Sequence, residues 1–246
     1  MPEKELLLIM PAYNESESIG PFLDRIRYAG IYEIADVIVI NDGSTDGTSM
    51  IARNHGARVI THIYNLGYGC ALQTGYKFAV RHHYKYVIQI DSDGQHDVCN
   101  IEKIYDALRK EDNPPDIVIG SRFLAESQSF KISIIKKITI KFFNFIINSV
   151  TRRVISDPTS GLQGLNRRAF LYYSLYNHFE YDYPDANMVI QMLLNKFNIC
   201  EISAVMHTRK AGKSMHSGLK PFIYMLKMTI NILSVILRDK FNKAKK

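Results

Sequence analysis

Cysteine is scarce in this chain of 246 residues, and Cys70, Cys99 and Cys200 stand far apart. With no C-x-x-C pair, neither a disulfide framework nor a zinc knuckle is expected, and the pattern fits a reducing, cytoplasmic setting. The N-terminus, Met1-Pro2-Glu3-Lys4-Glu5, has no basic region leading into a longer apolar stretch, so no signal peptide is expected. Zinc-finger, RNP and helix-turn-helix patterns are missing, which argues against nucleic acid as a partner. Acid is nearly absent from the C-terminal end. From Arg209 onward there are ten basic residues and a single acid, Asp239, an excess larger than the net +7 of the whole chain. The body is therefore close to neutral and the tail basic. Such a tail either serves solubility or is drawn to an anionic membrane face or to phosphates.

What is present reads as one large globular unit, with 46% hydrophobic and 22% charged residues. Leu6–Met10, Asp36–Ile40, Ala57–His62, Tyr86–Ile90 and Asp116–Gly120 are apolar runs of strand length. Helical stretches stand between them: one capped by Ser16 or Ser18 and running to about Tyr28, one from Thr45 or Asp46 to His55, one reaching His82, and one from about Val98 to Lys110. This alternation predicts an α/β three-layer sandwich with a mostly parallel central sheet. Right-handed crossovers place Tyr13, Asp42 and Asp91, each just past a strand, on one ligand-binding edge.

The second half differs. Ile134, Ile138, Phe142, Phe145 and Ile146 recur at helical spacing in the segment Phe130–Val150, opposite Lys137, Lys141, Asn144 and Asn148. From Lys131 to Arg153 there are six basic residues and no acidic one. A core helix and an interfacial helix both fit. Leu219–Leu237 is similarly apolar but is broken by Lys220 and Lys227, so it is expected to lie on a membrane rather than cross it. The expected division is a catalytic domain over 1–215, with an interfacial segment at about 130–150, and a membrane-associating or partner-docking helix with a basic tail over 216–246.

The chemistry-bearing residues follow the strands. Asp91-Ser92-Asp93 puts two carboxylates where a strand frays into a loop, an oxygen-rich pocket for Mg²⁺ or Mn²⁺, with Gln95 in reach. Asp42 either closes a turn with Gly43 or accepts from a base N–H, and Tyr13 is either a loop aromatic or stacks on that base. Ser160 and Gly161, in Asp157-Pro158-Thr159-Ser160-Gly161, together with Gly164, permit a close backbone approach to a phosphate or sugar. Arg122 is either a structural ion pair or a phosphate clamp. Of Asp182 and Asp185, one is expected to cap the following helix, Met188–Leu194, and the other to serve as a general base. Arg209, Lys210 and Lys213 form a basic loop that is either solvated or closes over a diphosphate.

Pro11-Ala12-Tyr13-Asn14-Glu15, Asn41-Asp42-Gly43-Ser44-Thr45-Asp46-Gly47-Thr48, Asn65-Leu66-Gly67, Asp91-Ser92-Asp93-Gly94-Gln95-His96 and Gly120-Ser121-Arg122-Phe123 together resemble the family 2 glycosyltransferases. Within that family the chain is most similar to the dolichol- or polyprenyl-phosphate sugar synthases, over roughly residues 5–215. The resemblance implies a GT-A fold, inversion at the anomeric carbon and a UDP- or GDP-sugar donor. It implies that Pro11, Tyr13, Glu15 and Asp42 hold the nucleoside, with Asp91 at the nucleotide too, and that Asp91, Asp93 and Gln95 ligate the metal. It further implies that Arg122 faces an acceptor phosphate. The acceptor is then a polyprenyl phosphate or a lipid-linked glycan, at the inner face of the cell membrane, with a membrane-protein partner or a second copy as further candidates. The stretch Tyr183-Pro184-Asp185 is more similar to enzymes that build polysaccharides, for which Asp185, before Asp182, would be the base.

Two other classes compete on the residues alone. A haloacid-dehalogenase-type phosphatase also carries D-x-D, but at its first strand and without a following glycine. A sugar nucleotidyltransferase would carry a Gly-rich loop where Pro11-Ala12-Tyr13 stands. A sugar-nucleotide-binding module without catalysis is the remaining alternative.

Overall fold

The computed structural model describes residues 4–128, 134–208 and 220–244. Its sheet is assembled from β1 (Leu6–Ala12), β2 (Ala35–Asn41), β3 (Arg58–Thr61), β4 (Tyr86–Gln89), β5 (Ile117–Ser121), β6 (Gln163–Asn166) and β7 (Ile199–Ser203), in the order β3-β2-β1-β4-β6-β5-β7. All pairings are parallel except those of β6, which runs antiparallel to β4 and β5. The parallel three-layer arrangement is the one the alternation predicts. Strand β1 is apolar on both faces because both are covered: Leu7 and Ile9 enter one core, Leu6, Leu8 and Met10 the other.

On the second of these faces lie α1 (Ile19–Tyr28), α2 (Ile31–Ile34), α3 (Thr48–Asn54) and α5 (Cys99–Leu108). The first is covered by α4 (Tyr68–Arg81), α6 (Ile134–Thr151), α7 (Arg167–Ser174), α8 (Ala186–Leu194) and α9 (Lys220–Ala244). The chain winds from β1 through β2 to β3 on one side, and β4 pairs with β1 on the other. The β1/β4 boundary is therefore the switch point of the sheet, where a crevice opens past the strand ends.

Several elements are not legible in the pattern. Gln163–Asn166 has little strand propensity, and β6 forms because β4 and β5 each offer it an open edge. Gly164 faces α5: a β-carbon there would meet Leu108 at 2.9 Å, so it lets α5 pack on the sheet. The cap at α3 also differs from expectation. Gly47 is the N-cap, while Asp46 accepts from the Thr48 backbone N–H at 3.0 Å.

Helix α6 combines features of both alternatives left for its segment, whose start at Phe130 lies outside the described residues. It buries Ile140, Phe143 and Ile147, and it exposes Ile138, Phe142 and Phe145 from the expected stripe. It is both a core helix and an apolar surface. Helix α9 likewise buries Tyr224, Met228, Ile232 and Val235 in the core shared with α4, α7 and α8. No helix among the described residues is long and apolar enough to cross a membrane.

Candidate active site at the sheet switch point

The loops after β1 and β2 are laced together by side chains. Asn14, at a φ of 53°, accepts from Thr45 N–H at 2.9 Å, and its own N–H donates to Ser44 Oγ at 2.9 Å. Glu15 N–H donates to Thr48 Oγ1 at 2.9 Å, and Ser16 N–H to Asp46 Oδ2 at 3.1 Å. Burial opposes ionisation of Asp46, but the bonds from Thr48 and Ser16 hold its carboxyl below the usual range. The polar residues of Asn41–Thr48 are thus cross-loop staples, a role their composition alone does not reveal. They leave Tyr13 exposed at the crevice, beside a buried Pro11 whose carbonyl accepts from Ser92 Oγ at 2.8 Å. The Glu15 carboxylate is drawn to Ser18 Oγ.

Asp42 is buried and organises a third loop. Its Oδ1 accepts from Leu66 N–H at 2.9 Å and from His62 Nδ1 at 2.7 Å, and its Oδ2 accepts from Gly67 N–H at 2.8 Å. The turn with Gly43 is therefore not its main work; it fixes the Asn65-Leu66-Gly67 segment that opens α4. His62 was not singled out from the sequence, and only the fold brings it to Asp42.

Asp91 stands at the centre. Tyr68 Oη donates to Asp91 Oδ1 at 2.9 Å, and His96 Nε2 lies 3.5 Å from Asp91 Oδ2. Burial pushes the Asp91 carboxyl up, but His96, the Tyr68 hydrogen bond and the Arg122 charge together bring it below its ordinary value. Burial and the Asp91 charge hold the Tyr68 phenol well above its ordinary range, which keeps it a donor. His96 is buried, and its Nδ1 has no hydrogen-bond partner among the described residues. Gly161 lies against Asp91: a β-carbon there would come within 2.7 Å of Asp91 Oδ2. Tyr68 and Gly69 escaped the sequence reading. Gly69 N–H donates to Tyr181 O at 3.1 Å, so the start of α4 is joined to the loop that leads to Asp182 and Asp185.

Asp93 and Gln95 are half-buried and share a turn, in which Gln95 N–H donates to Asp93 Oδ1 at 3.0 Å. Among the described residues no group of three or more His, Cys, Asp or Glu side chains is assembled as a metal cage. Two carboxylates and an amide oxygen fit a hard cation that completes its shell with substrate phosphates, as Mg²⁺ characteristically does. His207 follows the same loop, with its N–H on Gln95 O at 2.7 Å and its ring on Asp97 at 2.7 Å. Arg209, Lys210 and Lys213, expected to close over a diphosphate, lie outside the described residues.

Two expected phosphate contacts are corrected. Arg122 is buried, and its Nε and Nη2 each meet Asp157 at 2.6 Å, with Nη2 also on Thr159 Oγ1 at 3.0 Å. The ion-pair alternative describes this fork, because Asp157 is fully buried and needs a counter-charge. The Arg122 charge still reaches Asp91 and Asp185. Ser160 is buried, donating to Gly120 O at 2.6 Å, so its hydroxyl pins the loop instead of meeting an acceptor.

Asp182 and Asp185 also have structural partners. Asp182 is exposed and 3.1 Å from Lys227. Asp185 is the N-cap residue of α8, yet its side chain makes no cap bond; Tyr224 Oη donates to its Oδ2 at 2.7 Å.

Comparison with known proteins bears on this geometry. Residues 7–173 match the model of glycosyl transferase family 2. The uncharacterized protein MJ1222 of Methanocaldococcus jannaschii is 35% identical over 165 residues, covering 67% of this chain and 66% of that one, just under two thirds of its length. Polyprenol monophosphomannose synthase of Mycolicibacterium smegmatis is 24% identical over 88% of this chain and 83% of its own. Among solved structures, glucosyl-3-phosphoglycerate synthase from Mycobacterium tuberculosis, in complex with Mn²⁺, uridine-diphosphate-glucose and phosphoglyceric acid, superposes with a TM-score of 0.69. That likeness, at 18% identity over 95% of this chain and 80% of the other, establishes the shared GT-A fold.

Proposed function

The chain belongs to glycosyl transferase family 2, and from that premise we propose that it moves a sugar from a UDP- or GDP-sugar to the phosphate of a polyprenyl lipid carrier, working peripherally at the inner membrane face. The observation that carries this reading is the placement of Asp91 and Asp93 at the β1/β4 switch point, beside the stapled loops that present Tyr13 and are pinned from within by Asp42. Relatives whose names specify polyprenol or dolichyl phosphate match this chain over most of its length, which supports the lipid acceptor.

In this reading the Tyr13–Glu15 and Asp42 loops receive the nucleoside. Asp91, Asp93 and Gln95 would hold Mg²⁺ or Mn²⁺, which when bound neutralises charge on the departing diphosphate. Tyr68 and Gly161 keep the Asp91 carboxylate at that position. Arg122 sets the local field from beneath, balancing Asp157. An oxygen of the acceptor phosphate attacks the anomeric carbon as the bond to the diphosphate breaks, and the electron pair leaves with the nucleotide. A phosphate oxygen is already anionic near neutral pH, so no base is required.

Transfer to a sugar hydroxyl is the second reading, favoured by Asp185, whose carboxylate the Tyr224 hydroxyl holds within the field of Arg122. A hydroxyl needs its proton removed, and Asp185 would accept it.

The test is transfer of labelled sugar from UDP- and GDP-sugars, with Mn²⁺, into an organic-extractable lipid. Asp93→Asn is expected to lower that transfer about 100-fold or more. Transfer that is indifferent to EDTA would count against the metal site. Asp185→Asn should spare transfer to a lipid phosphate and abolish transfer to a glycan hydroxyl; loss of both would remove the distinction.

A further inference from the structure

The loop Asp91-Ser92-Asp93-Gly94-Gln95-His96-Asp97 holds three carboxylates, and the third is spent on protein partners. Asp97 Oδ1 accepts from Cys99 N–H at 2.9 Å, and its Oδ2 lies 2.7 Å from the His207 ring and 3.6 Å from Arg25. The tight turn that carries Asp93 and Gln95 is made at Gly94, whose φ of 71° is in the left-handed region.

A side chain from a distant helix spans that turn. Arg25 stands in the last turn of α1. Its Nη1 donates to Gly94 O at 3.2 Å and its Nη2 to His96 O at 3.3 Å. The guanidinium lies over the ring of the buried Phe22, 5.5 Å from its centre. Two carbonyls and a carboxylate thus converge on one planar cation, whose fork can bridge two oxygens at once. The ion pair with Asp97, at 3.6 Å and partly exposed, contributes little by itself. The two carbonyl bonds are the specific feature. They bracket Gln95, so the residues on either side of it are tied to α1.

The other edge of the loop is held by main chain. His207 N–H donates to Gln95 O at 2.7 Å, and Asp97 N–H to Val205 O at 3.1 Å. Asn100 clasps Val205 with bonds of 2.8 and 2.9 Å. Gln95 N–H in turn donates to Asp93 Oδ1 at 3.0 Å, so the Asp93 carboxylate follows the same turn. A small hard cation tolerates little error in ligand placement, and the curvature of this turn sets where two of its oxygens stand.

We propose that Arg25 is a positioning residue for the candidate metal site: it fixes the curvature of the Asp93–Asp97 turn from α1, and through that curvature sets the affinity of Asp93 and Gln95 for Mg²⁺ or Mn²⁺. This role rests on the reading of Asp91, Asp93 and Gln95 as the residues that hold the metal.

The test follows Mn²⁺ uptake by electron paramagnetic resonance, with and without UDP or GDP, and amide exchange of the metal-free proteins by mass spectrometry. Arg25→Met keeps the stem over Phe22 and removes the fork. It should bind Mn²⁺ about tenfold more weakly, the scale of one hydrogen bond to a charged group. Its exchange should quicken over residues 91–97 and not elsewhere. Arg25→Lys keeps the charge without the fork and should fall between it and the wild type. Arg27→Met is the control: it loses a bond of 2.6 Å to His55 O from the same end of α1 and should bind Mn²⁺ as the wild type does. Equal Mn²⁺ affinity in Arg25→Met and wild type would overturn the positioning role while leaving the metal reading intact. Faster exchange throughout the chain, or an equal loss of affinity in Arg27→Met, would overturn it too, since α1 would then act only through general stability. A wild type that takes up no Mn²⁺ under any of these conditions would overturn the metal reading, and the affinity role with it; exchange over residues 91–97 would still decide whether Arg25 holds the turn.

Discussion

Asp91 lies so close to Gly161 that a β-carbon at 161 would fall 2.7 Å from Asp91 Oδ2. The loop before β6 thus forms the floor of the carboxylate, and Gly161 is present for proximity, not for a strained backbone. Gly161→Ala should displace Asp91 from Tyr68 and weaken Mn²⁺-dependent turnover by about tenfold or more, since misplacement of a reacting group by a fraction of an ångström is costly. The readout is the Mn²⁺ concentration giving half-maximal rate, compared with the melting temperature. An alanine enzyme with unaltered metal dependence would show that Asp91 does not act from this position.

The pair Arg122–Asp157 predicts a stability effect separable from catalysis. Arg122→Met leaves Asp157, fully buried, without its counter-charge, at a cost of about 3–5 kcal/mol. Arg122→Lys keeps the charge but cannot reproduce the two contacts at 2.6 Å, so its cost should be intermediate. Urea unfolding of the three proteins measures this. Equal stability of all three would mean that water or another cation replaces the fork.

His178 predicts a pH dependence. Burial first, and the Arg238 charge second, hold its imidazole below the ordinary histidine value. The folded state therefore resists protonation more than the unfolded one does. The stability it contributes is fully present above about pH 6.5 and is lost as pH falls through the depressed folded value. Melting temperature should drop across that window, and His178→Phe, which stacks on Tyr172 without titrating, should flatten the drop. A slope identical to wild type would assign the titration elsewhere.

The sequence by itself determined the layers, and it proposed the sheet edge at which the site stands. Buried parallel strands must be continuously apolar, so Leu6–Met10 and Asp36–Ile40 announce themselves, and the residue following each strand must fall on one edge. The D-x-D pair could be proposed as a hard-cation site from its residue types and its place after a strand, without any tertiary partner. Where function depends on which groups have already been spent, the pattern is silent. Asp42, Arg122 and Ser160 are of the right types, yet long-range neighbours occupy their hydrogen-bonding groups: His62, Asp157 and Gly120. Tyr68, an unremarked aromatic, becomes the donor to Asp91 because α4 starts beside it. The same holds for Phe130–Val150, where Ile138, Phe142 and Phe145 of the apolar stripe counted along the chain are left outside and Ile146 leans against the core. The packed face, Ile140, Phe143 and Ile147, is chosen by the core it meets. Periodicity reports that a face is apolar. Only the packed structure decides whether that face, or the one opposite, meets protein, because burial depends on the neighbouring surface and not on the helix alone.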